Sequence, residues 1–213
     1  MAHSQITFTT LLPDEITDLI SKQCFLHEPQ AKASTTINTI TDKTTAPQGV
    51  NQATRNSHNS WIPTDEWIAS FIWYYIQRAN RENFLYDITT IDSEYLQYTI
   101  YKKGMYYHWH TDTHLAQQFS PKQTPSPLRN DASQLAMIQA EYCRKLSFSL
   151  QLSDEKEYDG GELQFHENGE SWFASKQRGS LIIFDSRLNH RVRTVKAGVR
   201  KSLVGWVVGP RWK

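Results

Sequence analysis

In the segment HWHTDTH, His108, His110, Asp112 and His114 stand at alternate positions. Alternate side chains on a strand share a face, so four ligand-type groups would look into one cavity. His110-Thr111-Asp112 is the only H-x-D or H-x-E pattern in the chain, and alone it is a weak signal. The C-terminal third strengthens it. After the turn Asp159-Gly160-Gly161-Glu162-Leu163 and the apolar run SLIIFD comes His190, then Arg200, with Ser202, Val204 and Trp206 at two-residue steps. On a strand, a guanidinium, a hydroxyl and an indole would line the same interior as an imidazole. A His-x-Asp pair plus a distant histidine is the set that holds non-haem Fe(II) on one face and leaves coordination positions open. His108 and His114 read as outer neighbours of such a site, or as exposed residues, rather than as ligands.

Strands must position these groups. From residue 86, short runs rich in Tyr, Ile, Val, Leu and Phe are broken by Gly, Asp and Asn. They predict strands at 95–102, 106–112, 145–152, 161–166, 180–185 and 201–208. In the first of these, Tyr95, Gln97, Thr99 and Tyr101 form a polar face, and Leu96, Tyr98 and Ile100 an apolar one. The spacing suits an antiparallel sandwich or small barrel rather than βαβ units. Residues 113–143 interrupt the pattern with three prolines and a helical segment around 131–142, a long connection of the kind that forms lids or stays disordered. Gly160-Gly161 reads as a turn or bulge.

Upstream, residues 13–23 predict a short amphipathic helix with Ile16, Leu19 and Ile20 on one side. Residues 28–60 are polar and read as irregular or weakly stranded. A second helix is predicted from Thr64 as N-cap, with Asp65 and Glu66 in its first turn. Its stripe of Trp67, Ile68, Phe71, Ile72, Tyr75, Ile76 and Ala79 should pack on the outer face of a sheet.

The 213 residues carry 23 basic and 22 acidic side chains, a formal charge of +1, and 12% aromatics. That length suggests one domain with an elaborated end, and the aromatics supply a substantial core. Near-neutrality removes the simplest argument for a nucleic-acid partner. No run is long enough for a membrane-spanning helix, and the N-terminus has no charged region followed by an apolar one. Cys24 and Cys143 make no disulfide framework and read as thiols in a reducing, cytoplasmic compartment.

The sequence resembles the 2-oxoglutarate- and Fe(II)-dependent dioxygenases, in particular their prolyl 4-hydroxylase-like branch. The resemblance rests on Tyr101-x2-Gly104-x2-Tyr107-x2-His110-x-Asp112 and DGGEL at 159–163. It continues as His190-x-Val192-x2-Val195-x2-Gly198-x-Arg200-x-Ser202-x3-Trp206, and spans roughly 95–208. It implies a mainly β fold with flanking α: a double-stranded β-helix (jelly-roll) core at 91–210 supported by N-terminal helices, with 1–90 as a helical and polar flank, all in one oxygenase domain over 1–213. By position, His110, Asp112 and His190 would be the iron ligands. Arg200 would grip the distal carboxylate of 2-oxoglutarate, with Tyr101 and Ser202 beside it. Tyr107 and Trp206 would wall the substrate side, although Tyr101 also fits a core tyrosine and Trp206 a structural wedge; apart from the resemblance, Arg55, just before the second helix, is a candidate to reach substrate. The loop at 113–143 would be a lid over the substrate.

The implied reaction hydroxylates a C–H bond, C4 of proline in a peptide or protein, while 2-oxoglutarate becomes succinate and CO2. Fe(II), 2-oxoglutarate and O2 would be required, with ascorbate as a reductant. Collagen-type prolyl hydroxylases usually carry Lys where Arg200 stands, so the sub-branch stays open. A free amino acid or other small molecule is an alternative substrate. Three further readings are a nucleic-acid demethylase of the same superfamily, a cupin-like binding protein using His108 and His110, and a degenerate oxygenase fold kept for interaction. The first would need a basic groove, which a net charge of +1 does not favour, the second lacks a Glu after the pair, and the intact triad with Arg200 opposes the third.

Overall fold

The computed structural model describes residues 7–28, 31–33, 54–92, 95–113 and 142–212. In chain order the elements are β1 (Thr7–Leu11), α1 (Asp14–His27), β2 (Lys32–Ala33), β3 (Arg55–Asn56), β4 (His58–Pro63), α2 (Trp67–Ala79) and a π-helical turn (Asn80–Phe84). Then come β5 (Thr90–Ile91), β6 (Tyr95–Lys102), β7 (Tyr106–His110), β8 (Tyr142–Gln151), β9 (Tyr158–Gly160) and β10 (Leu163–Glu167). The last are β11 (Glu170–Phe173), β12 (Ser180–Asp185), β13 (Asn189–Val192) and β14 (Val195–Pro210). The larger sheet runs β1-β12-β8-β14-β6-β4-β2, with β5 and β9 also paired to β14, and the smaller runs β11-β10-β13-β7-β3. Two antiparallel sheets flanked by α1 and α2 make the sandwich that the strand pattern predicts and the mainly β jelly roll that the resemblance implies.

Alternation sorts the side chains into two cores. Leu96, Tyr98 and Ile100 of β6 join Leu146, Phe148 and Leu150 of β8 against Ile20 of α1 and Ile68, Ile72 and Ile76 of α2. Each fully buried side chain of this kind is worth about 1.5–3 kcal/mol. A second cluster draws on both sheets, with Tyr101, Leu163, Phe165, Ile182, Phe184 and Val192. The run SLIIFD feeds both: Leu181 and Ile183 go to the helix side, Ile182 and Phe184 to the interior. The polar partners on β8 (Ser147, Ser149 and Gln151) are buried as well. The interior between the sheets is therefore partly polar, as a ligand cavity requires.

Several boundaries differ from the sequence-based expectation. Helix α2 begins at Trp67 with Glu66 at the cap position and no side-chain cap bond, so Asp65 and Glu66 precede the first turn. The cause is β4, which pairs with β6 as far as Pro63↔Tyr95, leaving residues 64–66 to turn the chain. Trp67 stays 44% exposed and meets Phe71 edge-on at 6.2 Å, while the isoleucines carry the packing. Helix α1 continues to His27, past the expected end at 23. Strands β3 and β4 lie in the polar stretch, where backbone pairing needs little apolar content. Of the expected lid at 113–143, residues 114–141 lie outside the described residues. Tyr142 and Cys143 open β8 rather than closing a helix. Among the described residues no helix is long and apolar enough to cross a membrane.

The DGG turn sets where β14 begins. Gly160 has φ +74°, and a Cβ there would lie 2.2 Å from the Thr194 carbonyl oxygen. Gly160→Ala should therefore cost at least about 1–2 kcal/mol from the left-handed backbone alone. At roughly 2–4 °C per kcal/mol for a chain of this size, calorimetry should show Tm lower by several degrees. An unchanged Tm would remove the turn from the account of the fold.

Candidate active site

Strand β7 ends at His110, and Asp112 lies just beyond it, its amide bonded to the Ser186 carbonyl at 2.8 Å. The pairing with β13 slips: His190 faces His110, but Val192 faces Tyr107. Two residues on β13 thus span three on β7, a β-bulge. It brings Tyr107 and His110 onto one face, with their rings stacked at 3.6 Å. The expected sharing of one face by His108, His110, Asp112 and His114 therefore fails at His108, which is exposed. His114 lies outside the described residues.

Three donor groups converge. Each of His110, Asp112 and His190 offers one ligand atom, all within 4.8 Å of one another. His110 Nε2 is 3.7 Å from Asp112 Oδ1, and His190 Nε2 is 3.4 Å from Asp112 Oδ2. His110 Nδ1 bonds the His108 carbonyl at 2.7 Å, and His190 Nδ1 bonds the Leu188 carbonyl at 2.9 Å. A carbonyl only accepts, so each Nδ1 carries a proton and each Nε2 is the ring nitrogen turned toward the cluster. Burial, then the neighbouring His190, lowers the His110 pKa to about 3, which keeps the imidazole neutral. Burial alone would raise Asp112, but His190, His110, Arg144 and the Ser147 hydrogen bond outweigh it and hold the carboxyl at about 2. Two imidazoles and one carboxylate at this separation fit a facial metal triad.

The cluster borders a cavity that encloses about 450 Å³ including its mouth. Arg55, Tyr101, Tyr107, Arg200, Ser202 and Trp206 all line it, so every site residue expected from the sequence meets at one place. Arg200 is 2% exposed. Its Nη1 donates to Ser202 Oγ at 3.2 Å, and the guanidinium sits 5.5 Å from the Tyr101 ring, opposite it in the β6–β14 register. Among the described residues no carboxylate lies within ion-pair distance of Arg200. A buried guanidinium with only neutral partners is costly, and a ligand carboxylate would relieve that cost. The residues therefore fit both a divalent metal and a small dicarboxylate.

Arg55 reaches the cavity because β3 pairs with β7, Arg55 opposite Tyr107. It donates to Ser57 Oγ at 3.0 Å and Asn59 Oδ1 at 3.2 Å, with its guanidinium 4.6 Å from the Tyr107 ring centre. Trp206 lies under Arg144 at 4.1 Å, and its buried indole N–H finds no acceptor among the described residues.

Sequence reasoning missed three neighbours. Tyr158, beside the DGG turn, hydrogen-bonds Arg200, and its pKa is raised chiefly by burial. Ser147 and Ser186 support Asp112. The alternation in KLSFSLQL marks Ser147 as interior, but nothing local says what it meets.

Residues 96–208 match the family model of the 2OG-Fe(II) oxygenase superfamily. A PKHD-type hydroxylase of Crocosphaera subtropica is 33% identical over 114 residues, 53% of this chain and 41% of that protein. One from Synechococcus sp. is 39% identical over 62 residues, 29% of this chain and 28% of that protein. The chain thus spans less than half the length of these curated relatives. In overall fold it resembles a Pseudomonas putida prolyl-4-hydroxylase, with TM-score 0.64 at 19% identity, covering 98% of this chain and 94% of that one. It also resembles a prolyl hydroxylase from Trichoplax adhaerens, in complex with a hypoxia inducible factor peptide fragment, with TM-score 0.65 at 16% identity, covering 96% and 84%.

Proposed function

The chain belongs to the 2OG-Fe(II) oxygenase superfamily, and from that premise we propose that it hydroxylates C4 of proline residues in a peptide or protein. Decarboxylation of 2-oxoglutarate to succinate and CO2 is coupled to that hydroxylation. One observation carries the reading: a single cavity holds both the His110–Asp112–His190 donor cluster and a buried guanidinium with no carboxylate partner among the described residues. Bound Fe(II) supplies the redox chemistry with O2, while ascorbate serves as reductant.

The chain's own residues bind, orient and enclose. His110, Asp112 and His190 hold the metal through two Nε2 atoms and a carboxylate oxygen. Arg200 anchors the distal carboxylate of 2-oxoglutarate, with the Ser202 hydroxyl and Tyr101 beside it. Tyr107 and Trp206 wall the substrate side. The indole N–H of Trp206, which has no acceptor among the described residues, favours a substrate-facing role over a wedge, since a buried donor left unmade costs about 1–3 kcal/mol. Arg55, buried on neutral partners, offers guanidinium donors to a peptide carbonyl. The same proposal takes residues 1–213 as one cytoplasmic oxygenase domain that acts on a protein or peptide rather than a nucleic acid.

The test is an anaerobic titration with Fe(II) and then 2-oxoglutarate, followed by mass spectrometry of proline-containing peptides. A weak visible charge-transfer band and a peptide gain of one oxygen are the expected results. Iron binding without the band would sink the cosubstrate assignment. Turnover of free amino acids but no peptide would overturn the substrate class.

A further inference from the structure

We infer that Ser147, backed by Ser186, is a positioning residue that fixes how Asp112 presents its carboxylate to the metal. The inference rests on the metal-triad reading above and adds two residues outside it. Ser147 Oγ donates to Asp112 Oδ2 at 2.8 Å, and Ser186 Oγ lies 2.9 Å from Ser147 Oγ. A serine hydroxyl has one hydrogen. With Ser147's hydrogen on Asp112, the Ser186 hydroxyl must be the donor to Ser147, so the two form a directed chain ending on Oδ2. Such chains strengthen along their length in a dry interior, and both serines are completely buried.

Ser186 also holds the backbone. Its carbonyl accepts from the Asp112 amide at 2.8 Å, and its own amide donates to the Lys145 carbonyl at 3.1 Å. Asp112 stands beyond the end of β7, where no sheet ladder fixes it, so these bonds take the ladder's place. They tie it to β8, through Ser147, and to the turn that leads into β13 and His190. The consequence is asymmetric. Ser147 takes one lone-pair direction of Oδ2, which also lies 3.4 Å from His190 Nε2, whereas Oδ1 accepts from no side chain among the described residues. The carboxylate is therefore preset to bind through one oxygen and to leave the remaining coordination positions for small ligands. Without the relay it is free to rotate or to chelate with both oxygens.

The test uses Co(II) alone as the probe, titrated into the metal-free full chain and read by affinity and by its d–d absorption. Ser147→Ala should bind Co(II) about 10–100-fold more weakly, the usual effect of losing an outer hydrogen bond at a metal site, with a changed d–d spectrum. Ser147→Thr, which keeps the hydroxyl, should restore both. Ser186→Ala should shift both in the same direction but less, which covers the case in which Ser147→Ala does not fold. A merely structural role would lower the Tm of the metal-free protein and leave the Co(II) spectrum unchanged, and that result overturns the inference. Wild-type binding matched by Ser147→Ala in affinity and spectrum overturns it while sparing the triad. Failure of the wild type to bind Co(II) overturns the triad and the relay together.

Discussion

Asp112→Ala loses Fe(II) binding, and hydroxylation falls to background, while His108→Ala binds Fe(II) as the wild type does. The two residues are four apart in one segment, so the contrast is a strict test of which side chains hold the metal. Asp112 supplies the single carboxylate of the cluster, and the two histidines cannot replace its negative charge. The loss should exceed the about 10–100-fold that removal of an outer hydrogen bond costs at metal sites. The His108 side chain is exposed, and what it lends to the site is its backbone carbonyl, which orients His110 at 2.7 Å. Truncation to alanine keeps that carbonyl. Metal analysis after dialysis, with circular dichroism to check folding, reads both variants. Metal loss in His108→Ala with metal retained in Asp112→Ala would transfer the site to a His-x-His pair and revive the cupin-like reading.

The contrast also shows what a sequence can and cannot carry. His110 and Asp112 were legible because their spacing needs only a strand end, and His190 because an apolar run delivers it to the same interior. Arg200, Ser202 and Trp206 follow from simple alternation along β14. The failure at His108 has a local cause. One extra residue in YYHWH makes the β7–β13 register slip, and nothing in those five residues signals it, since a bulge is specified by the partner strand as much as by its own.

Longer-range placements were beyond local pattern. Ser147 meets Asp112 across 35 residues, and Tyr158 meets Arg200 because β9 pairs with the start of β14. Both contacts depend on which strands become neighbours. Residues 54–60, in the polar stretch read as irregular or weakly stranded, contain β3 and the start of β4, which are held by backbone pairing to β7 and β6 and bury polar side chains such as Arg55 and Asn59. Arg55 of β3 lines the cavity, so that short strand lacks the apolar content that usually marks one.

Arg200 gives the second large effect, and it has opposite signs in the two states of the protein. With 2-oxoglutarate, Arg200→Met removes the buried donor fork from a carboxylate. Truncating one partner of a buried, hydrogen-bonded charge pair costs about 2–5 kcal/mol, a roughly 30- to 4,000-fold rise in Kd. Arg200→Lys keeps the charge without the planar fork and should fall between. Without ligand the balance reverses. The wild-type guanidinium is 2% exposed, with Ser202 and Tyr158 as its hydrogen-bonding partners. An apolar side chain of similar length spares that desolvation, so the metal- and cosubstrate-free Arg200→Met protein should melt no lower than wild type. The metal triad is untouched, so Fe(II) affinity should hold. Melting curves with and without 2-oxoglutarate, at fixed metal, read all of this at once: the ligand-induced rise in Tm should vanish in Arg200→Met. A large drop in the ligand-free Tm would mean that Arg200 is a structural strut. A preserved ligand shift would mean that the dicarboxylate binds elsewhere. Only the combination of an unharmed apo-protein and a lost ligand shift belongs to a side chain whose burial is justified by its ligand.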